Sequence, residues 1–183
     1  LATTEDGTAW FMPWDWGNTA LTFNTEKVNE DDVKSIKAFA DPEDWNIAAP
    51  VMESHQKNPG GNARIAETMF RYFRFPVDFP SFVYLSQVQQ GVAIKTAVTH
   101  WRSLKPHCQG ALYWQLNDMW PAPSWASLDW KGNWKALHYM AKRFFAPVIV
   151  SGVEDADTHS VQIHVSNDRK TEQAAVVEYT ITN

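Results

Sequence analysis

The chain has 183 residues, enough for one domain or parts of two, with 44% hydrophobic and 20% charged residues, an ordinary globular balance. Its net charge of −5 excludes a basic field that would gather nucleic acid or an anionic membrane surface. The single cysteine, Cys108, excludes an intrachain disulfide and leaves the compartment open. Ten tryptophans and five tyrosines stand out: aromatic faces suit both a core and a sugar's apolar C–H face.

In chain order, Leu1 to Asp6 carries no basic-then-apolar leader pattern, and the missing initial Met suggests a fragment or a processed chain. No apolar run is long enough to span a membrane. Trp10 to Asn18 mixes aromatics with turn formers and reads as loop or short strands. Asn29-Glu30-Asp31-Asp32 predicts a helix start, with an Asn cap and three acids at the positive end of the dipole, and the helix runs to about Ala40. Asp41 to Trp45 ends it, and residues 46–61 are expected to form a long loop closing on Pro59-Gly60-Gly61.

Asn62 can cap the next helix, in which Ile65, Met69, Tyr72 and Phe73 form an apolar stripe. Pro76 and Pro80 bracket a connector. Ser81 is the expected cap of a long helix from about Phe82 to Ser103, with Leu85, Val88 and Val92, then Ile94, Ala97, Val98 and Trp101, on its buried face. Gly110 to Leu116 is a short aromatic-rich apolar run that predicts a buried strand. Asn117-Asp118 ends it, and a loop follows to Lys131. A helix after Gly132-Asn133 places Leu137, Met140, Ala141 and Phe144 on one side, with Lys142 and Arg143 at its C-terminal end. Beyond Pro147, Val161, Ile163 and Val165 alternate with polar residues, and Ala175 to Thr182 is the expected partner strand. This reads as the opening of a β-sandwich, which in full needs about 100 residues.

Helix, buried strand, polar strand end and helix make one repeat of an α/β barrel, whose active site lies at the strand C-termini. Asn117, Asp118, Trp120 and Trp125 would stand at that rim. Tyr113-Trp114-Gln115-Leu116-Asn117-Asp118-Met119-Trp120-Pro121-Ala122-Pro123-Ser124-Trp125-Ala126-Ser127-Leu128-Asp129 resembles the last barrel strand and following loop of family 2 glycoside hydrolases of the β-mannosidase type. Pro50 to Asn62, Trp134 to Tyr139 and Lys142 to Pro147 resemble the same subfamily, so the likeness runs from about Val33 to Val150.

The resemblance implies an α/β fold: the C-terminal portion of a TIM (β/α)8 barrel over residues 1–146, with 1–28 unmatched, and the start of an immunoglobulin-like β-sandwich over 147–183. It implies removal of terminal β-linked mannose with retention, by two carboxyl groups about 5–5.5 Å apart. It also implies no cofactor, a β-mannoside oligosaccharide as substrate, the rest of a parent chain as partner, and a lysosomal, secreted or periplasmic setting. Trp114 matches the tryptophan that floors the bound mannose, Asn117 and Asp118 match polar rim positions, and Trp120 and Trp125 match entrance aromatics.

The family's nucleophilic Glu, in a Ser-Glu-Phe/Tyr-Gly segment, should fall near Asn24, where the chain instead reads Phe23-Asn24-Thr25-Glu26-Lys27. The acid/base Glu of an Asn-Glu pair is expected upstream of Leu1. Asn29-Glu30 reads as a helix cap, and Glu26 is the other candidate nucleophile. A retained intron, a frame error or divergence would each produce this mismatch. The expectation is therefore a glycosidase piece inactive alone. The competing expectations are a non-catalytic carbohydrate-binding relative and a product that does not fold by itself, because a barrel takes about 250 residues. Glu53 and His55 lack a third ligand at metal spacing. Trp130 and Trp134 read as packing residues, and His138 as a core or surface histidine.

Overall fold

The computed structural model describes residues 41–180. The Trp10–Asn18 segment, Glu26, the Asn29–Ala40 helix and the last three residues lie outside the described residues. Among those described, the elements are α1 (Pro50–His55), α2 (Gly61–Tyr72), α3 (Phe79–Ser103), α4 (Ala136–Phe144), β1 (Val148–Asp155) and β2 (Ser160–Asn167), with a 3-10 turn at Pro42–Asp44.

The expected loop over 46–61 contains α1. Pro50 sits at its N-terminus, where its missing N–H costs nothing, after an extended Ala49. Six residues are too few for periodicity to reveal a helix. The cap of α2 is Gly60, in the left-handed region at φ 68°, and not Asn62. Asn62 lies inside the first turn and is buried. Its amide donates to Ile47 O at 3.0 Å and accepts from Gln56 Nε2 at 2.8 Å, stapling the segment around α1 to α2. Of the predicted stripe, Met69 is buried but Tyr72 is exposed.

α3 begins at Phe79, three residues before the expected start at Phe82. Asp78, not Ser81, is its N-cap, accepting from Ser81 N at 2.7 Å, and Pro80 fits within the first turn. The Ser81 hydrogen bonds hold the Asp78 carboxyl below its usual range. The buried line along α3 is Phe82, Gly91, Val98 and Arg102, whereas Val92 and Trp101 are exposed. Apolar residues occur on every side of this helix, so their spacing did not select the buried one.

α4 packs across α3 as its composition predicts. Val98 of α3 meets Leu137, Ala141 and Phe144 of α4, with Ile94, Ala111, Tyr113 and Met140 packed around them. Gly91 permits the approach: a Cβ there would lie 2.5 Å from Met140 Sδ and 3.6 Å from Leu137 Cα.

The predicted buried strand over 110–116 is not a strand: it bends at Trp114 and Leu116, with a cis peptide between Trp114 and Gln115. Ala111 and Tyr113 pack on the α3–α4 core, while Leu112 is 96% and Trp114 74% exposed. A fully buried strand needs sheet neighbours on both sides. Among the described residues, the only bridge made here is that of Asn117 with Leu128.

β2 lies where the alternation predicted it, but its partner is β1, running antiparallel from Val148↔Asn167 to Asp155↔Ser160; residues 175–180 form no strand. The turn between them is set by Asp155, whose carboxylate accepts from Asp157 N and Thr158 N. Arg102 joins the hairpin to the helices. Its guanidinium is only 6% exposed, donates to Phe144 O at 2.5 Å and pairs with Asp168 at 2.8 Å, and Ser166 donates back to Arg102 O. Lys105 also pairs with Asp168.

Two outcomes follow. Leu137 is 0% exposed. Leu137→Ala should lower the unfolding free energy by about 2–5 kcal/mol, read by urea denaturation. Asp78→Ala should lower the melting temperature at neutral pH. Because the folded pKa of Asp78 lies below the ordinary value of 3.8, the wild-type advantage is complete above that value and is lost as pH falls through the depressed one. Melting curves of both chains down the acid range should therefore converge.

Candidate functional site

The chain from Gly110 to Lys135 builds a rim over the α3–α4 core. Its outgoing limb ends at Asp118, and its returning limb folds back at Ser127-Leu128. Ser127 N donates to Gln115 O at 3.0 Å, Leu128 N to Leu116 O at 2.8 Å and Asp118 N to Leu128 O at 3.1 Å. Lys135 N donates to Ser127 O at 2.9 Å and brings the loop into α4. Asp129 closes the tight turn between, accepting from Lys131 N and from the backbone and side chain of Asn133.

Beneath the loop, Asp118 and Lys135 form a buried ion pair at 2.7 Å. The second carboxylate oxygen of Asp118 accepts from Ser124 Oγ at 2.5 Å, and that hydroxyl accepts from Ala126 N. Both oxygens of Asp118 are thus engaged within the protein. A buried charge needs such partners. Each oxygen accepts from one partner, and the carboxylate also borders a groove beneath the loop.

The other rim residues separate into two places. Trp114 projects into solvent from the segment over 110–116, and Asn117, also exposed, donates its side-chain amide to Asp118 O. Trp120 is stacked on His55 at 4.4 Å, and the Lys57 ammonium lies 3.9 Å above its ring. His55 Nδ1 donates to Pro121 O at 2.7 Å, since a carbonyl can only accept. His55 therefore anchors the loop to α1, whereas Glu53 is exposed on that helix. Among the described residues no group of three His, Cys, Asp or Glu could hold a metal ion.

Asp118 and Trp125 meet at a groove of about 750 Å³ between α2, α3 and the loop, lined also by Phe82, Gln89, Pro121 and Trp130. Trp114, Asn117 and Trp120 are not part of its wall. Gln90 holds the loop here by donating to Trp125 O at 2.8 Å. Trp130 lines the groove, and Trp134 packs on His138 and Tyr139. The five rim residues thus do not converge on one cavity: Trp114 faces outward, Asp118 is a strut, and Trp120 is pinned to α1. Ser124, Ser127 and Lys135 were not singled out from sequence, because no local spacing betrays a partner 11 or 17 residues away.

No known family profile matches the chain. Individual relatives do. Over 136 residues it is 38% identical to the β-mannosidase of Capra hircus, which covers 67% of this chain and 16% of that protein. Over 134 residues it is 40% identical to the β-mannosidase of Mus musculus, covering 66% and 15%. A crystal structure of β-D-mannosidase from Dictyoglomus thermophilum matches with a TM-score of 0.68 at 31% identity, over 76% of this chain and 17% of that one. The chain belongs to the β-mannosidase type of family 2 glycoside hydrolases. It spans 15–16% of the length of those two mammalian β-mannosidases.

Within this β-mannosidase-type chain the Asp118–Lys135 pair can be tested directly. Removing one partner of a buried pair leaves the other charge uncompensated. Lys135→Ala should therefore destabilise the chain by about 3 kcal/mol, while Asp118→Asn with Lys135→Met should recover much of the loss. Urea titrations of the single and double variants check this; equal losses in both would mean that the pair is not coupled.

Proposed function

We propose that the chain forms the C-terminal portion of a (β/α)8 catalytic barrel over residues 1–146 and the start of an immunoglobulin-like β-sandwich over 147–183, within a retaining glycosidase that removes terminal β-linked mannose. The helix–segment–helix order from α3 through Trp114 to α4 supports the barrel assignment, as does the kinship with β-mannosidases. The paired strands after Pro147 support the second domain. The Leu112 and Trp114 side, exposed here, would face the rest of the barrel.

The observation that carries the reading is Trp114: an indole 74% exposed on a segment whose opposite side is packed on the core. Such a face suits the C–H surface of a pyranose. Asn117 would stand beside it at the rim, with Trp120 fixing the loop and Trp125 bordering the groove on the loop's other side. Asp118 would hold the rim in shape without touching sugar.

Chemistry would require two carboxyl groups about 5–5.5 Å apart, acting as nucleophile and acid/base. Asp118 is bound to Lys135 and Ser124, and Asp129 to Lys131 and Asn133. Both rim carboxylates thus brace the loop. This favours, for the 183-residue chain alone, binding without turnover, as in a non-catalytic carbohydrate-binding relative.

An aryl β-mannoside assay separates the readings. The chain alone should release no aryl alcohol, whereas a longer chain that joins it to the carboxylate-bearing segments should. Release by the chain alone would place a working carboxylate pair within these residues. Trp114→Ala should weaken methyl β-mannoside binding at least about tenfold, the loss of about 1.4 kcal/mol, with little change in unfolding midpoint. Unchanged affinity in calorimetric titration would remove Trp114 from the sugar site.

A further inference from the structure

Ser127 is 0% exposed, yet its hydroxyl has three polar neighbours: Leu116 O at 2.9 Å, the Tyr113 phenol at 2.8 Å and His138 Nδ1 at 3.0 Å. These come from two parts of the chain: the segment over 110–116 and α4. A serine hydroxyl has one proton and two lone pairs. Leu116 O can only accept, so the proton goes there. Both lone pairs must then receive donors. The Tyr113 phenol supplies one, and the second must be a proton on His138 Nδ1. Only this distribution makes all three contacts hydrogen bonds.

We infer that Ser127 is a positioning residue: its saturated hydroxyl locks the segment that presents Trp114 to α4 and holds His138 in the Nδ1–H form, leaving Nε2 as the free acceptor. The ring is further aligned by Trp134, which meets it edge-on at 4.5 Å and 70°. The segment cannot rotate about its axis without breaking the Tyr113 contact, nor slide along it without losing Leu116 O. Trp114, next to Tyr113 in the chain, inherits both restraints. The link to sugar rests on the reading of Trp114 given above; the proton assignment does not.

The first test is nitrogen NMR of the 183-residue chain labelled at histidine, in alkaline buffer where the rings are neutral. The His138 signals are identified by their loss in His138→Asn. The expected result is a protonated, pyrrole-type Nδ1 and an unprotonated, pyridine-type Nε2. A pyridine-type Nδ1 would mean that Ser127 donates to the ring, and the inference would be overturned.

The second test uses a conservative pair. Asn at position 138 offers a donor near the place of Nδ1, whereas Leu offers none. Methyl β-mannoside binding should weaken about tenfold in His138→Leu and return to within about threefold of wild type in His138→Asn. Equal affinities in the two variants would overturn the positioning role. If the unaltered chain binds no mannoside, the reading of Trp114 as a sugar platform fails, and the NMR result still decides the proton assignment.

Discussion

The rim depends on one buried ion pair. Asp118 closes the outgoing limb of the loop, and Lys135 stands at the cap of α4, 17 residues later. In water such a pair is worth little, but here both side chains are largely buried, and Ser124 satisfies the second carboxylate oxygen. Either charge left alone beneath the loop would be costly, so the two limbs must return to the same place. That return brings Ser127 and Leu128 beside Gln115 and Leu116 and puts Ser127 under Tyr113. The direction in which Trp114 points follows from this closure together with the Val98–Leu137–Phe144 core below it.

The same closure separates roles that the linear sequence runs together. Trp114, Asn117, Asp118, Trp120 and Trp125 fall within twelve residues and look like one constellation. Folded, they divide into an exposed platform, a charged strut, a loop anchor stacked on His55, and an aromatic bordering a groove under the loop. Polar residues at a strand end are ambiguous until their partners are known, and the partners of Asp118 lie well beyond any local window.

What could be read from the sequence followed the range of the forces involved. α4 was legible because its apolar residues keep a single face, and β2 because alternation marks a strand, although its Val161, Ile163 and Val165 face is exposed and Ser166 is the buried residue. The start of α3 was displaced because Asp78 and Ser81 are both competent caps, and only the tolerance of a first turn for Pro80 decides between them. α1 was missed since one and a half turns carry no period. Asn62 was read as a cap, although its burial against Ile47 and Gln56 makes it a staple, and that contact belongs to tertiary structure. The partner of β2 was sought on the wrong side, because Asn167-Asp168 resembles a hairpin turn. Asp168 serves instead as the acceptor for Arg102 and Lys105. In the site, the exposure of Trp114 could not be read from its neighbours in sequence and required the fold.

The central claim is that Trp114 is the surface on which a β-mannoside rests. A crystal structure of the chain grown with methyl β-mannoside tests this most directly. The expected density is one pyranose ring with its C–H face parallel to the Trp114 indole, within reach of Asn117, and with the Asp118–Lys135 pair intact beneath. Sugar density confined to the groove between Trp125, Trp130 and Gln89, with Trp114 bare, would contradict it and move the binding site to the other side of the loop.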